Sequence, residues 1–415
     1  MVGTDSAIIY CGGLLDGTGT PGVLDAAIRV ESGKVKAVGP AAALAPQPGE
    51  YLTEYDFRGL WITPGLIDEH THLSLPMGED GRSYEQMALD PDELMVMKGV
   101  QNLQRNLAAG VTSVRDNGAR NRVGFIIREG IRLGYVPGPR VLACGRPITA
   151  TGGHFHWCNE QADGEEEIRK AVRRLVHEGA DHIKIMASGG GTAGTIPGRA
   201  SYSTAELRAA AEESHALGRL TTAHCRAKES MLRAVSAGIN LVEHAEFLDA
   251  DGTARFDPQL AEMMRDAGVW ICPTLQASCN WRGVQALEAK RDADGLSQSE
   301  EARLGRMHEQ MSMRLDIFRR MLDAGLMHRM VSGSDTGGGR LIYDLELMVR
   351  GGMTPSEVLQ AATRVSAEAI GLGDQLGTLA PGRVADLIAV EGDPSEDISA
   401  LGRVRAVFQA GYRVV

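Results

Sequence analysis

A chain of 415 residues with 43% apolar and 23% charged side chains has the composition of a globular protein with a large core. Its net charge of −11 and the lack of any Lys/Arg run exclude a nucleic-acid or anionic-membrane surface. No apolar stretch reaches the roughly 18 residues of a membrane span, and the six scattered cysteines lack Cys-x-x-Cys spacing, so they read as free thiols in a reducing cytosol.

The N-terminal "MVGTDSAIIYCGG" has no basic segment followed by an apolar core, so no signal peptide and a cytoplasmic location are expected. Residues 6–60 read as short strands joined by turns. Within them "AIRVESGKVKAV", alternating and broken by Ser32-Gly33, predicts a β-hairpin. The tail, "GTLAPGRVADLIAVEGDP" and "VRAVFQAGYRVV", has the same texture. One small β domain made from both ends, 1–61 and 373–415, is therefore expected.

The middle, 62–372, alternates. Strand candidates are "ITPGLIDEH", "VTSVRD", "RVLACG", "HIKIMAS", "RLTTAH", "INLVEH", "VWICPTL" and "RMVSGSD". Helix candidates lie between them. "GEEEIRKAVRRLVHEGA" sets Ile168, Val172, Leu175 and Val176 on one face and closes on glycine. "STAELRAAAEESHALG" opens with Ser203 and Glu206 at capping-box spacing. The methionines near 94–97 read as helix packing. The alternation predicts an α/β fold, a (β/α)8 TIM barrel. A doubly wound open sheet is the alternative, but no Gly-rich dinucleotide turn follows the first strand. The polar stretch 278–305 is either a lid or a solvated helical insertion.

Polar residues at the ends of these strands carry the chemistry. Alternation on a strand points His70 and His72 the same way, as a metal clamp requires. Lys184 is out of character inside the apolar "HIKIMA". His224, His244 and Asp335 end three further strands, and the gaps of 40 and 20 residues from Lys184 to His224 and from His224 to His244 fit strand-plus-helix units. At the mouth of a barrel these side chains converge.

The order His-x-His, Lys, His, His, Asp resembles the amidohydrolase superfamily. "TPGLIDEHTHL", "TGGH" (151–154), "GADHIKIMASGG", "TAH", "INLVEHAEFL", "SGSD" and the closing "GTLAPGRVADLIAV" are similar to its prolidase-like branch, which includes Xaa-Pro dipeptidases, N-acyl amino acid carboxypeptidases and imidazolonepropionase-related enzymes. The resemblance covers nearly the whole chain. It implies a β-sandwich from both chain ends beside the barrel, and two divalent metal ions. His70, His72 and Asp335 would hold the first, and His224 and His244 the second. Lys184, carboxylated by CO2 to N6-carboxylysine, and a hydroxide would bridge them. Nitrogen and oxygen donors fit Zn2+ as the default, with manganese or cobalt as alternatives. Asp335 would serve as general acid and base.

The same resemblance places His154 on the substrate carbonyl or oxyanion; a loop histidine bonded to backbone is the alternative. It places Tyr202 against substrate, or else as a hydrophobic staple. Arg226 stands where the branch often has a histidine. It would either fork onto a substrate carboxylate or pair with a nearby acid. Arg340 is a further candidate of that kind. The Gly-rich segments "ASGGGTAGTIPG" and "SGSDTGGG" lack the Gly-Lys-Ser/Thr of a P-loop and read as mobile loops framing the pocket. The expected reaction is hydrolysis of a dipeptide or N-acyl amino acid, a small-molecule substrate, by a homo-oligomer. Carbamate, urea or aryl-amide xenobiotics, including amide-linked toxins, are the second reading. A mononuclear deaminase would lack Lys184, and a non-catalytic scaffold would lack ligands that are all present.

Overall fold

The computed structural model describes residues 6–75, 82 and 84–415. Residues 1–5, part of the stretch read for a signal peptide, lie outside them. No described helix is long and apolar enough to cross a membrane.

Both ends of the chain enter one seven-stranded sheet. Its order is Tyr412–Arg413, Val404–Gln409, Leu387–Val390, Thr53–Pro64, Ser6–Leu14, Val23–Glu31, Lys34–Pro40. The last two strands pair antiparallel around Ser32 and Gly33, both at positive φ (49° and 77°), the signature of a two-residue turn that matches strand twist. The hairpin read from alternation is present. Ile9, Ile28, Ile62, Leu387 and Phe408, from both termini, share one buried cluster.

Seven of the remaining strands and one further extended segment close a ring, and the short strands Ile148–Thr149 and Glu160–Gln161 extend beside His182–Met186. Leu66–Thr71, Val111–Asp116 and Arg140–Ala143 pair in parallel. The Asp181 amide donates to Ala143 O at 2.9 Å and leads into His182–Met186. From there Leu220–Ala227, Leu241–Leu248 and Trp270–Cys272 follow in parallel register. The eighth member, Met330–Thr336, is bridged only at its ends, to Ile271 and to Thr71. Its amides and carbonyls nevertheless complete the circle: Val331 N to Ile271 O at 2.9 Å, Glu69 N to Ser332 O at 2.9 Å and Asp335 N to His70 O at 2.8 Å. Parallel neighbours demand crossovers, and helices supply them.

Those helices bury the faces their spacing assigns. Gly164–Glu178 covers Ile168, Ala171, Val172 and Leu175 and ends at Gly179 with φ 108°; Val176 is only half-buried. In Asp92–Ala108, Met95 is buried but Met97 is exposed, so only part of the methionine pair packs. The stretch 278–305 is helical throughout most of its length, within Leu275–Cys279, Trp281–Asp294 and the start of Gln298–Met321.

The helix Thr204–Ala216 starts with a capping box. Ser203 Oγ accepts from Glu206 N at 3.2 Å, and Glu206 Oε2 accepts from Ser203 N at 2.8 Å. Glu206 Oε1 also accepts from Gly164 N at 3.0 Å, tying two helix starts together. Ser203→Ala is expected to lower stability by about 1 kcal/mol, read as a reduced urea midpoint at unchanged slope.

Candidate functional site

Histidines 70 and 72 leave the first ring strand on the same side, with Nε2 atoms 3.3 Å apart. Asp335 Oδ1 lies 3.3 Å from His70 Nε2 and 3.4 Å from His72 Nε2. Donors on a tetrahedral cation with bonds of about 2.0–2.1 Å are separated by roughly 3.3–3.4 Å. The triangle therefore has the dimensions of a metal shell. His70, His244 and Asp335 also bring their ligand atoms within 4.8 Å of one another.

Carboxylate and carbonyl partners assign two ring protons: His70 Nδ1 donates to Glu243 Oε2 at 2.7 Å and His72 Nδ1 to Gly118 O at 3.3 Å. His244 Nδ1 lies 2.7 Å from Thr274 Oγ1, a hydroxyl able to accept its proton. With Nδ1 protonated, each Nε2 keeps its lone pair for the cavity, the arrangement ligating histidines require. His244 Nε2 is buried without any partner. His224 donates Nε2–H to Gly189 O at 3.1 Å, leaving the lone pair on Nδ1, and its ring centroid is 4.5 Å from that of His244. Burial holds both His224 and His244 well below the usual histidine range, reinforced at His224 by the neighbouring imidazoles and cations and, at His244, prevailing over the opposing Asp335 carboxylate. Neutral imidazole is the ligating form.

Lys184 is 1% exposed, and its Nζ has no hydrogen-bond partner. Glu243 Oε1 lies 3.6 Å from it. That carboxylate also accepts from Thr222 Oγ1 at 2.5 Å, Asn117 Nδ2 at 3.0 Å and Arg115 Nη2 at 3.1 Å. Burial alone would raise Glu243, but His70, Lys184 and Arg115 outweigh it and hold the carboxyl well below the usual range. Asp335 behaves likewise: burial opposes ionisation, and His70, His72 and His244 overcome it. The sequence reading missed Glu243 and Arg115. Both are charged residues inside apolar strands, the same signal that exposed Lys184.

His70, His72, Lys184, His224, His244 and Asp335 line a cavity of about 470 Å³. The site residues do not all fall at strand ends as expected. Lys184 stands two residues before the end of its strand, and pairing continues beyond His224 to Ala227 and beyond His244 to Leu248. His154 also lines the cavity, with Nδ1 2.8 Å from Thr192 Oγ1; burial pushes it down to about 3. A Cβ on Gly190 would sit 2.4 Å from the His154 ring, so close approach, rather than mobility, explains that glycine.

Arg226 faces the cavity but is engaged: Nε and Nη2 both reach Glu246 Oε2 at 2.8 Å. Of the two sequence readings, pairing with an acid is the one seen, and the acid is itself part of the wall. Arg340 also lines the cavity. Tyr202 does not. It is 2% exposed, and its hydroxyl donates to Ala162 O at 2.8 Å, so the expected substrate contact gives way to a core role. The stretch 278–305 contributes Ser278 and Asn280 to the wall as a helical insertion.

The Amidohydrolase family matches residues 61–414. Ochratoxinase of Aspergillus niger is 29% identical over 447 residues, covering 98% of this chain and 86% of the fungal protein. Imidazolonepropionase of Rhizorhabdus wittichii is 25% identical over 413 residues, covering 89% of each. A crystal structure of an Xaa-Pro dipeptidase with methionine bound in its active site superposes with a TM-score of 0.81 at 25% identity, over 98% of this chain and 99% of that one.

One wall of the cavity is latched by a buried acid. Gln276 sits on the short helix Leu275–Cys279, and its backbone N–H donates to Asp344 Oδ1 at 3.1 Å. Burial pushes Asp344 up from 3.8 to about 7, against that bond and with Asp68 adding. Between these values the folded protein keeps a proton that the unfolded chain has released. Stability from this group therefore falls as pH rises through the window and levels off above it. Urea midpoints measured at about pH 5 and about pH 8 should show this fall in the wild type and a smaller one in Asp344→Asn; equal falls would refute it.

Proposed function

Because the chain belongs to the amidohydrolase family, and is thus a metal-dependent hydrolase acting on carbon–nitrogen bonds, we propose that it hydrolyses dipeptides or N-acyl amino acids at a binuclear site. The eight-membered ring is read as a (β/α)8 barrel, 62–372, and the terminal sheet as a composite β-sandwich domain, 1–61 and 373–415. His70, His72 and Asp335 would hold one cation, and His224 and His244 the other. Lys184, as N6-carboxylysine, would supply further oxygen ligands, and Zn2+ suits the donor set. The observation that carries this reading is the 3.3–3.4 Å triangle of His70, His72 and Asp335, beside His244 Nε2 and Lys184 Nζ, which have no hydrogen-bond partner.

Two divalent cations there would polarise the scissile carbonyl and bring the pKa of a water toward neutrality. The protein's own groups do the rest. Asp335, ionised by its histidine neighbours, takes the proton of the attacking water and delivers it to the departing amine. Thr192 Oγ1 accepts from Phe155 N at 2.9 Å and lies 2.8 Å from His154 Nδ1, to which its own proton can be given. With that bond in this direction, neutral His154 carries hydrogen on Nε2, a donor for the carbonyl oxygen as negative charge builds on it. With Nε and Nη2 committed to Glu246, Arg226 offers Nη1 to a substrate carboxylate, a single contact in place of a fork.

The second reading keeps this site for carbamate, urea or aryl-amide xenobiotics, including amide-linked toxins, and the relation to ochratoxinase over nearly the whole chain favours it. Substrate screening separates the two: turnover of N-acyl amino acids or dipeptides supports the first, and turnover of aryl amides alone supports the second. The dialysed protein should hold about two zinc equivalents, and chelation should abolish activity. Lys184→Ala should be inactive and partly rescued by short carboxylic acids; full activity in that variant overturns the carbamate. Arg226→Ala should raise KM for carboxylate-bearing substrates with little change for neutral amides.

A further inference from the structure

The backbone that presents His244 is strained. His244, Ala245 and Phe247 lie at φ 69°, 46° and 54°, and Thr274 opposite them at 43°. Non-glycine residues are uncommon there, and a β-branched threonine is a genuine outlier. Such a cluster persists only where its surroundings over-determine it.

Arg314 supplies that constraint from the helix Gln298–Met321. Its Nη2 donates to His244 O at 2.9 Å and Pro273 O at 3.1 Å, its Nη1 to Ala245 O at 3.3 Å, and its Nε to Ser278 Oγ at 3.2 Å. The side chain is 4% exposed, and among the described residues no carboxylate lies in ion-pair range of it. A buried cation held only by neutral acceptors, three carbonyls and a hydroxyl, is costly to keep. Here every partner belongs to the His244 turn or to the segment facing it. Thr274, at the head of that segment, fixes the same histidine from the ring side through Nδ1 at 2.7 Å.

We infer that Arg314, acting with Thr274, is a positioning residue for the His244 cation site. It clamps the left-handed turn so that His244 Nε2 faces the cavity. The inference rests on the metal reading proposed above. Only a planar guanidinium spans these acceptors; a lysine ammonium carries its three donors on one atom and reaches a subset of them.

The test is Zn2+ stoichiometry and affinity of the full chain, by competition with a chromophoric chelator, alongside thermal unfolding. The wild type should bind two equivalents. Arg314→Met should retain one, with affinity for the other reduced about 10- to 100-fold, and Arg314→Lys should fall between. Thr274→Val should weaken the same site, while Thr274→Ser, which keeps the hydroxyl, should restore it. A folded Arg314→Met binding both equivalents with wild-type affinity overturns the inference. Should that variant not fold, wild-type affinity at both sites in Arg314→Lys and Thr274→Val overturns it equally. A wild-type protein that binds no zinc brings down the metal reading and this inference together, whereas unaffected variants of a zinc-loaded wild type bring down this inference alone.

Discussion

Glu243 is the buried charge on which the site is built. A carboxylate withdrawn from water is tolerable only when its oxygens are occupied, and here His70, Arg115, Asn117 and Thr222 all donate to it. The dependence runs both ways, because Arg115 and Lys184 are themselves buried cations with Glu243 in reach. Removing one partner of a buried pair costs about 3–5 kcal/mol, mostly as the charge left behind. Glu243 thus fixes the tautomer of His70, a proposed ligand, and holds the lysine in one act.

The same carboxylate constrains what Lys184 becomes. As an ammonium, the lysine is attracted to Glu243 across 3.6 Å. Carboxylated, it would present negative charge to Glu243 and to Asp335, both of them buried. Divalent cations on the histidine side relieve that repulsion. Under the proposed function, lysine carboxylation and metal uptake are therefore interdependent, each making the other electrostatically acceptable. Strain follows the same geography. His244, Thr274 and Asp335 all have positive φ, and all line or adjoin the cavity.

What the sequence made legible follows from how locally each feature is encoded. The Ser32-Gly33 hairpin and the Ser203/Glu206 cap are properties of four to twelve consecutive residues, and both are present. Polar residues in apolar strands are equally local signals, and His70, His72, Lys184, His224, His244 and Asp335 come together in one cavity as that signal implied. Partner identity is not local. Nothing in the surroundings of Arg226 announces Glu246 across the neighbouring strand, and Tyr202 resembles a pocket residue until the Ala162 carbonyl claims its hydroxyl. Arg314 was invisible for the same reason: on a helix rich in charge, one arginine looks as solvated as the next.

That division also separates chemistry from specificity. The groups assigned to the metals come from ring strands whose positions are locked by backbone pairing and by the Glu243 network. Much of the outer wall, Gln276, Ser278, Asn280 and Gln310, comes instead from the helical run after Trp270–Cys272. That run is fastened by apolar packing, with Leu275, Trp281, Val284 and Phe318 in the main buried cluster, and by polar links: Asp344 to Gln276, Trp281 Nε1 to Glu346 at 2.6 Å, and Arg314 to the His244 turn. Its cavity-facing side chains lie outside the strand pairing and tolerate changes in sequence that a pairing ring does not. Motifs on the ring therefore announce hydrolysis of a carbon–nitrogen bond, while the choice of substrate resides in helices whose sequence carries no comparable signature. Arg314 links the two layers, because the residue that braces a proposed ligand also fastens the wall against which substrate rests.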